Sequence, residues 1–268
     1  MKHNIHKEAA IDSTSPILSN MAVFSSKEFC LLFDVEAVMN SLGSSTLSKA
    51  KVAFAISKYI YGYIAINNTP ESCGKDVSSI EVAAARKGFG PFMYDTTLSL
   101  VYPKYLMPDR GSVSEQASNV WKYYLINRPD VSKVLISGII DGSCDLPESE
   151  YEFKEIAELY QIKDSIEEVE YELAQLPKKS NSYTRKFNEA QQRLEELNKR
   201  KQKLLEVIKT YIKKVPLAYK YKIKSPISLS KQKSNFKNFS KIIEEDGVYL
   251  SSKDYKYLGE EFFGYMYD

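Results

Sequence analysis

Apolar residues along this chain fall into three regimes of spacing, and each predicts a different kind of element. Residues 1–20 are polar, with Ser13, Ser15 and Pro16, and predict a mobile or partner-dependent arm. From Ser26, a capping residue, the stretch KEFCLLFDVEAVMNSLG predicts a helix that ends at Gly43. KVAFAIS (51–57) sets Val52, Phe54 and Ile56 against Ala53, Ala55 and Ser57, a period of two, and predicts a strand beside a second one in YIYGYIAIN (59–67). Asn67, Asn68 and Pro70 mark a turn, and VSSIEVAAA (77–85) predicts a third strand that runs straight into ARKGFGP.

The spacing then lengthens. Phe92, Met93, Thr96, Thr97 and Leu100 recur at three-to-four intervals, which predicts a helix with Pro91 in its first turn, where a proline is tolerated. A second helix, SEQASNVWKYYLIN, is capped by Ser114 with Val113 as a staple, carries Ala117, Val120, Trp121 and Tyr124 on one face, and is closed by Arg128 and Pro129. SKVLISGII (132–140) predicts a strand and DGSCDLPESE (141–150) a loop.

Beyond residue 150 the pattern becomes a heptad seam. Leu159, Ile162, Ile166, Val169, Leu173 and Leu176 alternate by three and four, as do Phe187, Ala190, Leu194, Leu197, Lys201, Leu204, Ile208 and Tyr211. PKKSNS (177–182) is short enough to force the two arms into an antiparallel helical hairpin, each arm projecting on the order of 35 Å. Pro216 ends the second arm, LAYKYKIK (217–224) alternates as a strand, and a helix is expected around Asn235 to Glu245 before an aromatic-rich ending. The resulting division is an arm at 1–20, a core at 21–150, a hairpin insertion at 151–214, a returning core strand at 215–224 and a C-terminal arm at 225–268.

Composition narrows the function classes. With 43% hydrophobic and 27% charged residues in 268, the chain reads as globular, and 37 Lys+Arg against 35 Asp+Glu leave a net charge of +2, no bulk field for nucleic acid or anionic lipid. Cys30, Cys73 and Cys144 are widely separated and odd in number, which predicts neither a disulfide framework nor a paired zinc site and favours a reducing compartment, the cytoplasm. No apolar run suits a signal peptide or a membrane span. His3 and His6 are the only histidines and lie in the polar N-terminal segment, so no His-dependent triad or metal centre is expected.

The segment with the strongest chemical content is AARKGFGP, a glycine turn between a strand and a helix. A helix N-terminus presents unpaired amides and a positive dipole end, and glycines let a phosphate approach the backbone; the same residues also suit a plain tight turn. On the strand before it, Glu81 is a general-base candidate if buried, and otherwise a solvent-facing residue of an edge strand. Asp95 reads as a solvated or structural carboxylate, and the cysteines lack a histidine to activate them.

Strands leading into this GxG turn at a helix start, then another strand and a helix with an Ala and an aromatic, then a closing hairpin, resemble the GNAT superfamily of acyl-CoA N-acyltransferases over roughly residues 50–140, with 217–224 as a candidate last strand. GFGPFMYD followed by LMPDRGSVSEQASNVWKYY is also similar to GNAT-like proteins encoded by bacteriophages, for which the resemblance carries no assigned reaction. The resemblance implies an α/β fold with a mixed central sheet and flanking helices, here with a long antiparallel helical hairpin (coiled coil) inserted. It implies that Arg86, Lys87, Gly88, Phe89 and Gly90 hold the pyrophosphate of acetyl-CoA, with no metal involved. The position four after Ala117 is Trp121 rather than Tyr, so the proton donor to the departing thiolate becomes Tyr124 or Tyr123, and Ala85 stands where Gln or Arg is usual. Tyr94, Tyr123 and Tyr124 are expected to line the cleft or its supporting core, with Asp109, Arg110 and Ser112 on a loop facing it or tied by an Asp–Arg pair.

A non-catalytic alternative stands beside the enzyme: a virion or assembly protein, in the host cytoplasm or the particle, that uses this fold for contacts. Its surfaces would be the hairpin 153–212 and the tail 249–268, for a protein partner or a second copy. Lys178, Lys179, Arg185 and Lys186 make the hairpin tip basic, but the arms lack the aromatic interleaving that nucleic acid needs. The tail holds Tyr249, Tyr255, Tyr257, Phe262, Phe263, Tyr265 and Tyr267, a density that predicts docking, by a slight margin on a partner rather than on its own core.

Overall fold

The computed structural model describes residues 16–43, 46–68, 73–74, 76–109, 111–136, 138–139, 144, 154–176 and 183–267. Seven strands form one mixed sheet: β1 (Met21–Ser25), β2 (Phe29–Asp34), β3 (Ile60–Asn67), β4 (Val77–Ala85), β5 (Tyr105–Met107), β6 (Val131–Leu135) and β7 (Tyr219–Ile223), in the order β1-β2-β3-β4-β5-β7-β6. All neighbours are antiparallel except β4 and β5, which run parallel. Among the described residues eight helices flank the sheet: α1 (Val35–Leu42), α2 (Lys49–Lys58), α3 (Gly90–Val101), α4 (Glu115–Asn127), α5 (Lys154–Gln175), α6 (Tyr183–Ile212), α7 (Ser230–Glu245) and α8 (Ser252–Tyr267).

Two expected elements exchange type. FCLLFD, expected in a helix, is strand β2: Phe29, Leu31 and Phe33 pack into the core on one side of the sheet, Cys30 and Leu32 into the core on the other. A strand buried on both faces shows no polar alternation, so an apolar run of this length does not declare its period. The helix starts only at Val35, where Asp34 accepts a hydrogen bond from the Ala37 amide at 3.0 Å. KVAFAIS, expected as a strand, is helix α2. Ser48 caps it, Val52, Ala55 and Ile56 are buried at helical spacing, and Phe54 is 61% exposed. Its period of two was incidental to that burial pattern.

The helices divide between two cores. On one face of the sheet α3, α4 and the base of α5 and α6 enclose Trp121, Tyr124 and Tyr221, with the Trp121 and Tyr221 rings stacked 5.0 Å apart. On the other face α1, α2, α7 and α8 cover Phe33, Tyr63 and Phe239. Helices α5 and α6 lie side by side: Arg200 pairs with Glu158 and Arg193 with Glu172, so one rises as the other descends. The expected loops at 141–143, 145–150 and 177–182 lie outside the described residues.

Of the arm expected at 1–20, residues 1–15 lie outside the described residues. Residues Pro16–Asn20 form a 3-10 turn in which Leu18 is buried, and Gln232 and Asn235 of α7 donate to the carbonyls of Leu18, Ser19 and Met21. The last tail segment is helix α8, docked on the chain's own sheet through Tyr255, Leu258 and Phe262. Ser251 and Asp254 start it as a reciprocal cap. Hydrogen bonds from Lys49 and Ser251 hold the Asp254 carboxyl down at about 2. The reducing-compartment argument also falls, because Cys73 and Cys144, 71 residues apart, form a disulfide that ties the start of β4 to the segment after β6. Sequence spacing carries no information on that approach, since connectivity depends on the fold. None of the described helices is long and apolar enough to cross a membrane.

Gly259 is where α8 meets β3 most closely. A Cβ there would stand 2.1 Å from Cδ2 and 2.3 Å from Cε2 of Tyr63, whose ring is fully buried. Gly259→Ala is therefore expected to destabilise the protein by about 1–3 kcal/mol through overpacking, although alanine is the better helix former by about 1 kcal/mol. Urea unfolding measures it, and Gly259→Ala combined with Tyr63→Leu should cost less than the sum of the two. Additive losses would mean that the contact does not set the helix position.

Candidate functional site

The parallel ladder between β4 and β5 is short: Val77 faces Tyr105, Ser78 faces Leu106, Ser79 faces Met107, and it ends there. Two local features end it. Pro108 follows Met107 and has no amide to continue the pairing. On its other side β4 carries a bulge, because Ile66 pairs with Ile80 but Ala65 pairs with Val82, leaving Glu81 as the extra residue. A bulge bends its strand and increases the twist, so Ile80–Ala85 diverge from β5.

The gap is a cleft of two adjoining compartments of about 240 and 270 Å³ that share Ala83, Tyr94, Ser114 and Ala117. The first reaches Gly90 and Met93 of α3 and Met266 of α8. The second reaches Glu81, Asp109, Ser112, Trp121 and Phe263. Neither polar nor charged groups dominate: two carboxylates stand at one end and a helix N-terminus at the other.

That N-terminus is the glycine turn. Gly88 has φ 87°, a conformation that glycine adopts at little cost, and it turns the strand into α3. Phe89, at the cap position, offers no side-chain hydrogen bond, and Pro91 occupies the first turn. The amides of Gly90 and Phe92 therefore meet no backbone acceptor among the described residues. Of the five residues expected to hold pyrophosphate, Gly90 lines the cleft, Lys87 is exposed beside it, and Phe89 is buried against Tyr61 at 4.8 Å. Arg86 is turned elsewhere: its guanidinium donates to the Lys58 carbonyl at 2.7 Å and lies 4.9 Å over the Tyr61 ring. It fastens the turn to β3 and α2.

The two expected catalytic residues part company. Glu81 lines the cleft but is exposed, without the burial its role as a base called for. Tyr124 does not line either compartment. It is fully buried under α4, and its hydroxyl donates to Asp95 at 2.6 Å. Burial first, and then the Asp95 carboxylate, push its pKa well up. Asp95 also accepts from Arg128 at 2.9 and 3.1 Å, and Arg128 bonds Asp130 at 2.8 and 2.6 Å, so the group is a lock between α3 and α4. The Arg128 bond holds the Asp130 carboxyl below its usual range.

Of the tyrosines expected at the cleft, Tyr94 lines both compartments, and Tyr123 is on the outer face of α4, 41% exposed. Asp109 accepts from the amides of Gly111 and Ser112 at 3.2 Å each and lines the second compartment with Ser112; Arg110 lies outside the described residues. On the α8 face, the Tyr63 hydroxyl is buried with no hydrogen-bond partner among the described residues. Burial raises its pKa, with Glu260 and Glu81 adding to the rise. Cys30 is fully buried, and burial pushes its thiol up to about 11.

Sequence reasoning missed Phe263 and Met266 as cleft residues. The aromatic density of the tail was visible, but nothing local tells which residues of a distant helix reach a gap between two strands. No family model, curated protein or solved structure significantly matches the chain.

Proposed function

We propose that this chain is a GNAT-like N-acyltransferase that moves an acetyl group from acetyl-CoA to an amine. The observation that carries the reading is the divergence of β4 from β5 beside the N-terminus of α3, which combines an anion-binding turn with a slot in the sheet.

The residues present fit such a ligand. The open amides of Gly90 and Phe92 suit a phosphate, and Lys87 adds positive charge in solvent. Ala83, Ala84 and Ala85 leave room for a slender arm in the slot. When bound, acetyl-CoA supplies the activated thioester. Because Glu81 is exposed, water takes the proton from the amine, with the Glu81 carboxylate beside it as an acceptor, and the Tyr94 hydroxyl, in place of Tyr124, gives one to the departing thiolate. Arg86 acts by position, keeping the turn against β3.

At a CoA concentration about 100 times its Kd, mass action stabilises the native state by about 3 kcal/mol, a rise in Tm of roughly 5–10 °C for a chain of this size. Thermal unfolding with 0 to about 1 mM CoA tests it. Lys87→Glu should shrink the shift and Gly88→Glu abolish it, while deletion of the outer part of the hairpin, 171–191, which leaves Leu159, Leu205, Ile208 and Ile212 in the core, should preserve it. No shift at the highest concentration would sink the proposal.

One observation favours the non-catalytic alternative: from Tyr183 to Leu204, α6 buries no side chain, and Tyr171 on α5 is 68% exposed. That leaves a long surface for a second copy or another protein, the role of an assembly component. An absent CoA shift together with a concentration-dependent mass in light scattering, lost on deleting 171–191, would favour it.

A further inference from the structure

The two walls of the cleft differ in bulk. On β4 the first compartment is lined by Ala83, Ala84 and Ala85, which fill little of it, and the second by Ile80, Glu81, Val82 and Ala83. From the other face of the sheet, α8 sends one large side chain into each compartment, Met266 into the first and Phe263 into the second. Their spacing of three places them on the same side of the helix. Both are held in register by the turns before them: Tyr255, Leu258 and Phe262 are buried in the core, and Gly259 sits directly on the Tyr63 ring. Tyr265, between them in sequence, is 83% exposed and points away.

We infer that Phe263 and Met266 are the selectivity residues of this cleft, setting the width of the group that its two compartments admit. The inference deepens the acyl-transfer reading and rests on it for the ligand's identity: the group is slender, a short unbranched acyl chain on its thioester arm. The dimension itself is a property of the side chains and can be measured without that ligand.

The test uses the full chain with Ala83→Cys, because Ala83 borders both compartments. The described cysteines give little background, since Cys30 is fully buried and Cys73 and Cys144 are joined. N-ethylmaleimide and the bulkier fluorescein maleimide are compared by rate. The narrow slot should slow the bulky reagent about tenfold or more against the small one. Phe263→Ala and Met266→Ala should each remove most of that difference, and Met266→Trp should widen it. The same ratio in all four proteins would overturn the inference. Met266 is 41% exposed, so its variants remain informative if Phe263→Ala does not fold, and an unlabelled Cys30 reports an intact core. CoA-dependent Tm is read on the same samples. A changed labelling ratio without a CoA shift upholds the selectivity residues and removes the acyl-transfer reading; a CoA shift with an unchanged ratio does the reverse.

Discussion

Without its disulfide, the protein is expected to lose about 4 kcal/mol of unfolding free energy. Cys73 and Cys144 close a loop of 71 residues. In the chain-entropy account, a cross-link of that span removes about 4 kcal/mol worth of freedom from the unfolded chain. The bond also joins regions that the sheet alone links weakly, the entry to β4 and the chain beyond β6. Both cysteines are buried, so Cys73→Ala with Cys144→Ala is the suitable replacement, avoiding new buried hydroxyls. For a chain of this size the change corresponds to a Tm lower by roughly 10 °C. Urea unfolding of the wild type with and without reductant should reproduce the difference, and the double variant should no longer respond to reductant. Coincident curves would show that the thiols are not joined in solution.

Asp95→Ala should cost about 3 kcal/mol. The carboxylate is the shared acceptor of the Tyr124 hydroxyl and the Arg128 guanidinium, at side-chain exposures of 18% for Asp95 and 14% for Arg128. Removing it leaves a buried hydroxyl unpaired, at about 1–3 kcal/mol. It also leaves a mostly buried cation with Asp130 alone, and breaking such pairs costs about 3–5 kcal/mol when fully buried. Asp130 is half exposed and compensates in part, which sets the intermediate figure. Asp95→Asn, which keeps an acceptor for Tyr124, should lose less than half as much. Tyr124→Phe removes the donor and should be nearly neutral on top of Asp95→Ala. Chemical denaturation of the three variants and the double measures this. Equal, small losses throughout would show that the α3–α4 lock contributes little. Because Tyr124 is spent in this lock, its loss should also leave CoA binding intact, which separates it from Tyr94.

Much of the frame was legible in order along the chain. VSSIEVAAA, the glycine turn, the Pro91 helix and the Ser114-capped helix stand where local rules place them, since a cap, a turn glycine and a helical apolar stripe are properties of a few adjacent residues. Two long helices stand at the stretches whose apolar residues alternate by three and four, and Ile162, Ile166 and Val169 of the first are buried. FCLLFD and KVAFAIS were misread because burial on both faces, or a coincidence of small and large residues, erases the period that tells strand from helix.

The candidate site was legible only on its local side. The turn at Arg86–Gly90 and Glu81 lie on one continuous stretch, and both reach the cleft region. The rest required the third dimension. Whether Tyr124 or Tyr94 faces the gap depends on how α4 rotates against α3, and Asp95 decides it by capturing Tyr124.

By itself, then, the sequence determined where the chain turns, which helices are capped and which stretches carry an apolar face, because those follow from short-range sterics and hydrogen bonding. Only the tertiary structure decided that β4 parts from β5 after three pairs, that Cys73 meets Cys144, and that Met266 and Phe263 of the last helix line the two compartments beside β4. Those outcomes come from the packing of segments up to nearly two hundred residues apart, where the contact that wins is set by the whole core rather than by any neighbouring residue.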